Sequence, residues 1–237
     1  MRIGVIGTGQ IGAAIARLAT AAGIEVILAN SRGPESIEPL VQELGELARA
    51  SSVDGAAGNV DAVVLAVPLR SVPTMRPDLL DGKTVLSPIN YYPFRDGRIA
   101  ELDDESRTAA ELVQQHFRGA NLVQVFSNIL AHHIPELARP SRSADRSALP
   151  MAGNDDGAKA QVTDLIDQLG FDTVDVGPLA ESWRFEPESL AYTRQYLADP
   201  ATPGERILEA AAAPVSRDRI AAAVKSAARV RVADRAF

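Results

Sequence analysis

Short apolar runs alternate along the chain with segments of helical periodicity. The runs are rich in Val, Ile and Leu and contain few polar positions, which is typical of parallel strands covered on both faces. The strand-like segments are residues 2–6, 25–29, 61–67, 83–87, 121–126, 147–151 and 172–176, with a weaker candidate at 51–54. This alternation of strands and helices predicts an α/β fold built on a parallel sheet.

Segments with apolar residues three or four positions apart lie between the strands and predict helices. Their apolar faces contain Ile11, Ile15, Leu18 and Ala22; Ile37, Leu40, Val41, Leu44 and Leu47; Ala109, Leu112, Val113 and Phe117; and Ala158, Val162, Leu165, Ile166 and Leu169. After the last strand, a capping-box pattern over residues 202–205 predicts a short helix, and a final helix begins near Ser216. We expect the apolar faces of these two helices to dock on the parent domain or on the partner subunit of a homodimer.

Composition narrows the class of protein. The chain has 237 residues, of which 46% are hydrophobic and 23% are charged, as in ordinary globular domains. Its 24 Lys and Arg residues against 31 Asp and Glu give a net charge of −7, which argues against general nucleic-acid binding. With no Cys and three His, we expect neither disulfides nor a metal site. Because the chain shows no apolar run of membrane-spanning length and no secretory signal pattern, we expect a soluble, cytoplasmic protein without a membrane partner.

A glycine-rich turn joins the first strand to the first helix, with the sequence Gly7-Thr8-Gly9-Gln10-Ile11-Gly12. In a strand–turn–helix–strand unit this spacing is the dinucleotide-binding fingerprint. The first Gly permits the tight turn, the second lets a pyrophosphate approach the backbone, and the third lets the helix pack on the strand. We therefore predict a doubly wound, mostly parallel Rossmann-type domain over residues 1–187, with a short C-terminal helical extension over residues 188–237.

The end of the second strand indicates which dinucleotide is bound. An NAD site usually has an acidic residue there that accepts from the ribose hydroxyls, whereas this chain has Asn30-Ser31-Arg32. Ser31 can donate to a phosphate oxygen, and Arg32 can make a charge-assisted contact with it. The first carboxylate, that of Glu35, comes only after the turn. The sequence therefore favours NADP over NAD.

Two further strand ends are expected to border the same crevice, because ligands bind at the carboxyl ends of strands in such sheets. Ala66-Val67-Pro68 follows the strand at 61–67 and is expected to line the nicotinamide ribose. Asn90 follows the strand at 83–87 and can bond the nicotinamide amide. Since Asn90 lies among prolines and tyrosines, an ordinary turn role is an equal alternative.

Polar residues also follow the strand at 121–126. Asn128, His132 and His133 are candidates for substrate binding, and a His at this position can move a proton. A pair of His residues on a surface helix is the alternative interpretation. Three arginines of the following loop, Arg139, Arg142 and Arg146, either attract an anionic substrate or are simply solvated.

The chain resembles the NADP oxidoreductases that depend on the deazaflavin coenzyme F420, and it is similar to the cytoplasmic reductase domain of the STEAP metalloreductases. The resemblance covers roughly residues 1–187. It is carried by the glycine motif, Ser31-Arg32 and Ala66-Val67-Pro68, and more specifically by Pro150-Met151-Ala152-Gly153-Asn154-Asp155-Asp156, Lys159, Leu169-Gly170-Phe171, Val174-Asp175-Val176-Gly177-Pro178-Leu179 and Glu186-Pro187.

The resemblance implies an enzyme in which NADP lies across the sheet with its 2′-phosphate at the Ser-Arg turn. Coenzyme F420 is then the small-molecule co-substrate, and a hydride passes between the two carriers. The hydride step itself needs no acid–base residue in the protein, so no catalytic residue is predicted. Met151, from the stretch of the resemblance, joins the candidate substrate-binding residues.

Two other functions are compatible with the sequence. The first is an NADP-dependent reductase of another acceptor, such as a flavin, a small carbonyl compound or an imine. The second is a non-enzymatic module that binds NADP and reports its level to a partner. A crevice blocked over the nicotinamide, for example by Tyr91, His132 or Trp183, would favour the sensing module.

Overall fold

The computed structural model describes residues 1–232. In this part of the chain, strands are formed by β1 (Arg2–Ile6), β2 (Glu25–Ala29), β3 (Ala48–Ala50), β4 (Ala62–Leu65), β5 (Thr84–Ser87), β6 (Asn121–Gln124), β7 (Ala148–Gly153) and β8 (Asp172–Asp175). They make one eight-stranded sheet in the order β3-β2-β1-β4-β5-β6-β7-β8. Strands β1 to β6 are mutually parallel, β7 is antiparallel to β6, and β8 is parallel to β7. The predicted doubly wound, mostly parallel sheet is confirmed.

Helices cover both faces of the sheet. The α-helices are α1 (Gln10–Ala21), α2 (Glu38–Leu44), α3 (Val53–Ala57), α4 (Pro93–Asp96), α5 (Ala100–Asp103), α6 (Ala109–His116), α7 (His133–Leu137), α8 (Asp156–Gln168) and α9 (Arg217–Lys225). Short 3₁₀ helices span Pro34–Ile37, Gly45–Leu47, Leu69–Thr74, Leu179–Phe185, Thr193–Tyr196 and Gly204–Glu209. Side-chain caps start several of the α-helices, including the reciprocal capping box of Thr108 and Glu111 on α6 and the Asp155 cap of α8.

Two local predictions were wrong. The weak strand candidate at 51–54 is displaced, because β3 lies at Ala48–Ala50 and the hydroxyl of Ser52 instead caps α3 by accepting from the N–H of Gly55. The capping box expected at 202–205 does not form. The hydroxyl of Thr202 donates to the carbonyl of Asp199, and the 3₁₀ helix at Gly204–Glu209 starts without a side-chain cap.

The core lies in two layers, one on each face of the sheet. Successive strand side chains point to opposite faces, so Val26 and Leu28 pack in one layer while Ile27 packs in the other. Both layers are built mainly from Val, Ile, Leu and Ala, as the apolar runs predict. The sheet is therefore held rigidly from both sides, which fixes the loops at its edges.

The chain after residue 187 packs on β7 of the same chain. The N–H of Ala148 donates to the carbonyl of Val215 at 2.9 Å, and the hydroxyl of Tyr196 donates to the carbonyl of Ala148 at 2.8 Å. Tyr196, Val215 and Ile220 are buried in the core layer that contains α1 and α8. A boundary at residue 187 stays a prediction, and the last five residues, 233–237, lie outside the described part.

No helix within residues 1–232 is both long and apolar enough to cross a membrane.

Candidate active site

The glycine turn is packed so closely that two of its glycines cannot carry a side chain. Gly7 has a φ of +102°, and a Cβ added there would lie 2.1 Å from the carbonyl oxygen of Ala66. A Cβ on Gly12 would lie 2.0 Å from the carbonyl oxygen of Gly7. By contrast, a Cβ on Gly9 would meet nothing within 4 Å. The open position above Gly9 is where the fingerprint requires room for a ligand.

Helix α1 begins directly at this open position. Gly9 precedes its first turn in an extended conformation, with φ −72° and ψ −172°, and supplies no side-chain cap. The first turn contains no acidic residue. Its N–H groups and the positive end of the helix dipole are therefore turned toward the space above Gly9, an arrangement that suits a phosphate.

Asn30 connects the glycine turn to the end of β2. Its amide nitrogen donates to the hydroxyl of Thr8 at 3.0 Å, and its carbonyl oxygen accepts from the N–H of Arg32 at 2.8 Å and from the hydroxyl of Ser36 at 3.0 Å. Asn30 thus fixes the backbone that carries Ser31 and Arg32. Both of these side chains are exposed, and the guanidinium of Arg32 makes no ion pair within residues 1–232.

Two adjoining cavities form one cleft along the carboxyl ends of β1, β2, β4, β5 and β6. The small cavity, of about 360 Å³, is lined by Gly7, Thr8, Gly9, Asn30, Ser31 and Arg32 among others. The large cavity, of about 710 Å³, is lined by Gly9, Gln10, Ile11, Asn90 and His132 among others. Ala66, Val67 and Pro68 lie between the two and line both. The cleft therefore brings together most of the candidate cofactor residues, while Gly12 packs beneath the turn.

The wall of the large cavity includes a pair of tyrosines that sequence reasoning missed. The hydroxyls of Tyr92, after β5, and Tyr192, in the C-terminal extension, lie 2.6 Å apart. The guanidinium of Arg95 stacks over the Tyr92 ring at 4.7 Å from its centre. Burial, followed by the proximity of Tyr92, raises the pKa of Tyr192 well above its ordinary value, so its hydroxyl stays protonated at neutral pH. Tyr92 lies two residues from the predicted Asn90, but nothing in the sequence links it to a tyrosine one hundred positions away.

The two histidines anchor the C-terminal extension. Nε2 of His132 and Nε2 of His133 both donate to the carbonyl oxygen of Ala210, at 3.0 and 2.8 Å. His132 is half-buried and lines the large cavity, whereas His133 is fully buried. Burial is the main cause that lowers the pKa of His133, which favours the neutral ring. Leu208, two residues before Ala210, is exposed and also lines the large cavity.

Residues 2–91 match the family model described as NADP oxidoreductase, coenzyme F420-dependent. A solved hypothetical protein from Sinorhizobium meliloti is 34% identical to this chain, with a TM-score of 0.66 over 77% of this chain and 88% of that protein. The chain belongs to this family of NADP-dependent oxidoreductases. Its relation to the STEAP reductase domain stays a prediction.

Solved structures with lower sequence identity are similar to this chain in fold. A protein from Arthrobacter sp. FB24, described as an F420-dependent NADP reductase, is 24% identical, with a TM-score of 0.64 over 77% of this chain and 87% of that one. A reductive aminase from Aspergillus terreus, solved with NADPH, is 18% identical, with a TM-score of 0.52 over 76% of this chain and 55% of that one. No curated protein sequence matches the chain. These likenesses support the Rossmann-type fold.

Three of the expected substrate residues do not reach the cleft of this NADP oxidoreductase. Asn128 is fully buried, and its amide nitrogen donates to the carbonyl of Ala191 at 2.9 Å and to the hydroxyl of Tyr196 at 3.0 Å. His133 is buried behind His132, and Met151 packs in the core layer beside α8. Asn128 and His133 bind the C-terminal extension, and Met151 packs against helix α8. The pattern of strands in the sequence does not show this packing, so the prediction placed all three residues at the cleft.

The residues between 150 and 187, on which the family resemblance rests in the second half of the chain, lie away from the cleft. Because β7 is antiparallel to β6, with Gly153 paired to Val123, its carboxyl end points toward the edge of the sheet opposite the cleft. Asn154 accepts from the N–H of Leu179 at 3.0 Å, and Lys159 forms an ion pair with Asp175 at 2.8 Å. These residues hold α8 and β8 in place, which is a structural role in this oxidoreductase.

Of the loop arginines, Arg146 has a role that neither interpretation anticipated. Its side chain is only 4% exposed and forms ion pairs with Asp167 at 2.7 Å and Asp172 at 2.8 Å. Arg139 pairs with Asp145 at 2.9 Å. The contacts of Arg146 join the loop to α8 and β8. Neither Arg139 nor Arg146 lines the cleft. Within residues 1–232, no group of three or more His, Asp and Glu is arranged to hold a metal ion.

Proposed function

We propose that this oxidoreductase transfers a hydride between NADP(H) and the deazaflavin coenzyme F420. The observation that carries the proposal is the shape of the cleft. Two cavities meet over Gly9 and Ala66-Val67-Pro68, and the second is about twice the volume of the first. One dinucleotide half fits the small cavity, and the large cavity has room for a nicotinamide and a second ring system. The family description supplies the identity of the second ring.

The small cavity fits the adenosine half of NADP with its 2′-phosphate. Ser31 and Arg32 are exposed at the turn after β2, and neither Asp nor Glu lines this cavity. Arg32 would supply a charge-assisted contact to the phosphate, and Ser31 would donate to one of its oxygens. Asn30 holds both residues by accepting from the N–H of Arg32. NADP is therefore preferred over NAD, since NAD offers no group for Arg32.

The glycine turn fits the pyrophosphate. The space that a Cβ of Gly9 would occupy is open, and the first turn of α1 turns uncapped N–H groups toward it. A substituent there would hold the phosphates away from these donors. Pro68 and Val67, at the junction of the two cavities, would then guide the chain of the dinucleotide from the small cavity into the large one.

Both carriers bring their own reactivity, so the protein has to hold two rings together and exclude water. Apolar side chains of Ile11, Pro68, Phe126 and Ile129 line the large cavity and suit flat ring faces. Two residues of the C-terminal extension, Tyr192 and Leu208, also line this cavity. The extension therefore completes the acceptor side of the cleft.

The tyrosine pair supports a second candidate, the reduction of a carbonyl compound or an imine. Such an acceptor gains a proton as well as a hydride, and a positioned hydroxyl is a suitable donor. The hydroxyls of Tyr92 and Tyr192 lie 2.6 Å apart, and both residues line the large cavity. Reduced coenzyme F420 also carries an added proton, but on a ring nitrogen away from the carbon that takes the hydride, where water can supply it. The need for a positioned hydroxyl therefore distinguishes the two candidates.

The test is to mix purified protein, NADPH and oxidised coenzyme F420 and to follow the loss of the visible absorbance of the deazaflavin. The proposal predicts rapid bleaching that requires NADPH and is much slower with NADH. A parallel series replaces coenzyme F420 with a flavin, small ketones and cyclic imines, while NADPH oxidation is followed. Oxidation of NADPH by one of these acceptors, with no bleaching of coenzyme F420, would favour the second candidate.

A further inference from the structure

Two residues that line the large cavity each carry a buried polar atom without a hydrogen-bond partner among residues 1–232. The atoms are Oδ1 of Asn90 and Oγ of Ser127. The two residues are only 7% and 4% exposed, and both line the cavity. Asn90 lies beyond the carboxyl end of β5 and Ser127 beyond that of β6, and these strands are neighbours in the sheet. A buried polar atom without a hydrogen bond is costly, so a pair of them at one cavity wall indicates a missing partner.

The chemical character of the pair is fixed by the contacts around it. The amide of Asn90 lies 2.5 Å from the backbone carbonyl oxygen of Ser127. A carbonyl oxygen only accepts, so the amide atom facing it must be the Nδ2 donor, and Oδ1 faces elsewhere as an acceptor. The hydroxyl of Ser127 can donate. Asn90 and Ser127 are hydrogen-bonded to each other in the lining of the cavity, and together they supply one acceptor and one donor.

The backbone next to Ser127 is strained in a way that agrees with a binding role. Phe126 has a φ of +62°, in the left-handed region that a bulky residue rarely adopts. Its ring packs edge-on against Phe171, with ring centres 5.8 Å apart, which holds Phe126 in the core. The turn therefore presents Ser127 to the cavity at the end of β6. Strained backbone is enriched at ligand sites, and of the non-glycine residues with positive φ in the described chain Phe126 is the one that lines the cavity.

We propose that Asn90 and Ser127 recognise a planar amide edge, in which an N–H donates to Oδ1 of Asn90 and the neighbouring C=O accepts from Oγ of Ser127. Resting on the proposed function, the inference allows two sources for this edge: the carboxamide of the nicotinamide, or the N–H and C=O groups of the deazaflavin pyrimidinedione. In both cases the pair fixes the rotation of a ring within the cleft. It is a positioning element and takes no part in bond making.

The substitution that tests the pair is Ser127→Ala. Because the hydroxyl has no protein partner in the described residues, its removal should not destabilise the fold. Ser182→Ala is the matched control, since the hydroxyl of Ser182 is equally buried and unpartnered but lies outside the cavity lining. Asn90→Ala is the second variant. It also removes the bond to the carbonyl of Ser127, so its folding is checked by thermal unfolding.

Dissociation constants are measured for NADP⁺, oxidised coenzyme F420 and adenosine 2′,5′-bisphosphate, which lacks any nicotinamide. If the pair reads the nicotinamide, Ser127→Ala should weaken NADP⁺ about five- to tenfold and leave the bisphosphate unchanged. If it reads the deazaflavin, the same loss should appear for coenzyme F420 alone. The 3-acetylpyridine analogue of NADP⁺ keeps the carbonyl but has no N–H, so in the first case Asn90→Ala should weaken it less than NADP⁺.

Unchanged affinity of Ser127→Ala for both ring-bearing ligands would overturn the inference. Equal weakening of the bisphosphate, or equal weakening by Ser182→Ala, would also overturn it, because the loss would then come from general distortion. Failure of the wild-type protein to bind NADP⁺ at all would contradict the proposed function instead, and the coenzyme F420 measurement would still decide the role of the pair.

Discussion

Gly9 is the position where folding and cofactor binding can be separated most cleanly. An alanine there would meet no atom within 4 Å, and the backbone at φ −72° and ψ −172° accepts any residue. At the N-cap position of α1, alanine is less favourable than glycine, which lowers stability. Alanine also reduces the conformational entropy of the unfolded chain, which raises stability. These two effects oppose each other, so Gly9→Ala should change the free energy of unfolding by no more than about 1 kcal/mol.

The effect on binding should be far larger. The methyl group would fill the space assigned to the pyrophosphate and hold it away from the N–H groups of α1. A hydrogen bond to a charged group contributes about 1.5–3 kcal/mol, so the loss of two costs about 3–6 kcal/mol. That corresponds to a loss of affinity of about a hundredfold or more for NADPH and NADH alike.

Gly7→Ala and Gly12→Ala are the contrasting variants. Their Cβ atoms would lie 2.1 and 2.0 Å from backbone oxygens. Steric overlap of this kind destabilises a protein by about 1–3 kcal/mol, and at Gly7 the unfavourable φ of +102° adds about 1–2 kcal/mol. Gly7→Ala should therefore unfold at a temperature several degrees lower than the wild type. Thermal unfolding and NADPH fluorescence titration measure the two effects separately. A folded Gly9→Ala protein that binds NADPH as well as the wild type would refute the placement of the pyrophosphate.

Three further predictions concern single side chains. Arg32→Ala should weaken NADPH binding by about 1.5–3 kcal/mol in a titration and leave NADH binding nearly unchanged. The control Arg217→Ala, on the exposed face of α9, should alter the binding of neither cofactor. Equal loss of affinity for both cofactors in Arg32→Ala would refute the 2′-phosphate contact. Because burial lowers the folded pKa of His133, the unfolded chain binds more protons there, so stability is lost as pH falls below about 6.5. Urea unfolding at several pH values should show this loss reduced in His133→Gln, and an identical pH dependence in the variant would contradict the reasoning. Tyr192→Phe should slow reduction of a carbonyl or imine acceptor about a hundredfold but leave the rate with coenzyme F420 within about twofold; a large loss with coenzyme F420 would show that the hydroxyl is needed there too.

The sheet and the glycine turn could be predicted because their signals are local. The Val- and Ile-rich runs at 2–6 and 25–29 became strands with the predicted bounds, since a strand buried on both faces needs no information from distant residues. The strand at 61–67 was predicted too long. The chain leaves the sheet after Leu65 so that Ala66 can receive the turn of Gly7 and Pro68 can begin the cavity wall.

The acceptor side of the cleft could not be predicted because it depends on contacts between distant segments. Asn128 looked like a residue at a crevice, yet its amide nitrogen donates to the carbonyl of Ala191 and its backbone carbonyl accepts from the N–H of Thr193. The same contact brings Tyr192 over the cleft, where it meets Tyr92. Spacing in the sequence carries no record of a pairing between positions that far apart. The missed tyrosine and the misplaced asparagine are thus two results of one long-range contact.

Labelled NADPH gives the most direct test of the central claim that one cleft holds the nicotinamide beside the acceptor ring. NADPH carrying deuterium at the transferred position is mixed with the protein and oxidised coenzyme F420 in ordinary water, and the reduced deazaflavin is analysed by mass spectrometry. The account predicts that the label moves to the deazaflavin, because the two rings exchange a hydride directly inside one cleft. Reduced deazaflavin without the label, or no reduction while NADPH binding is intact, would contradict it.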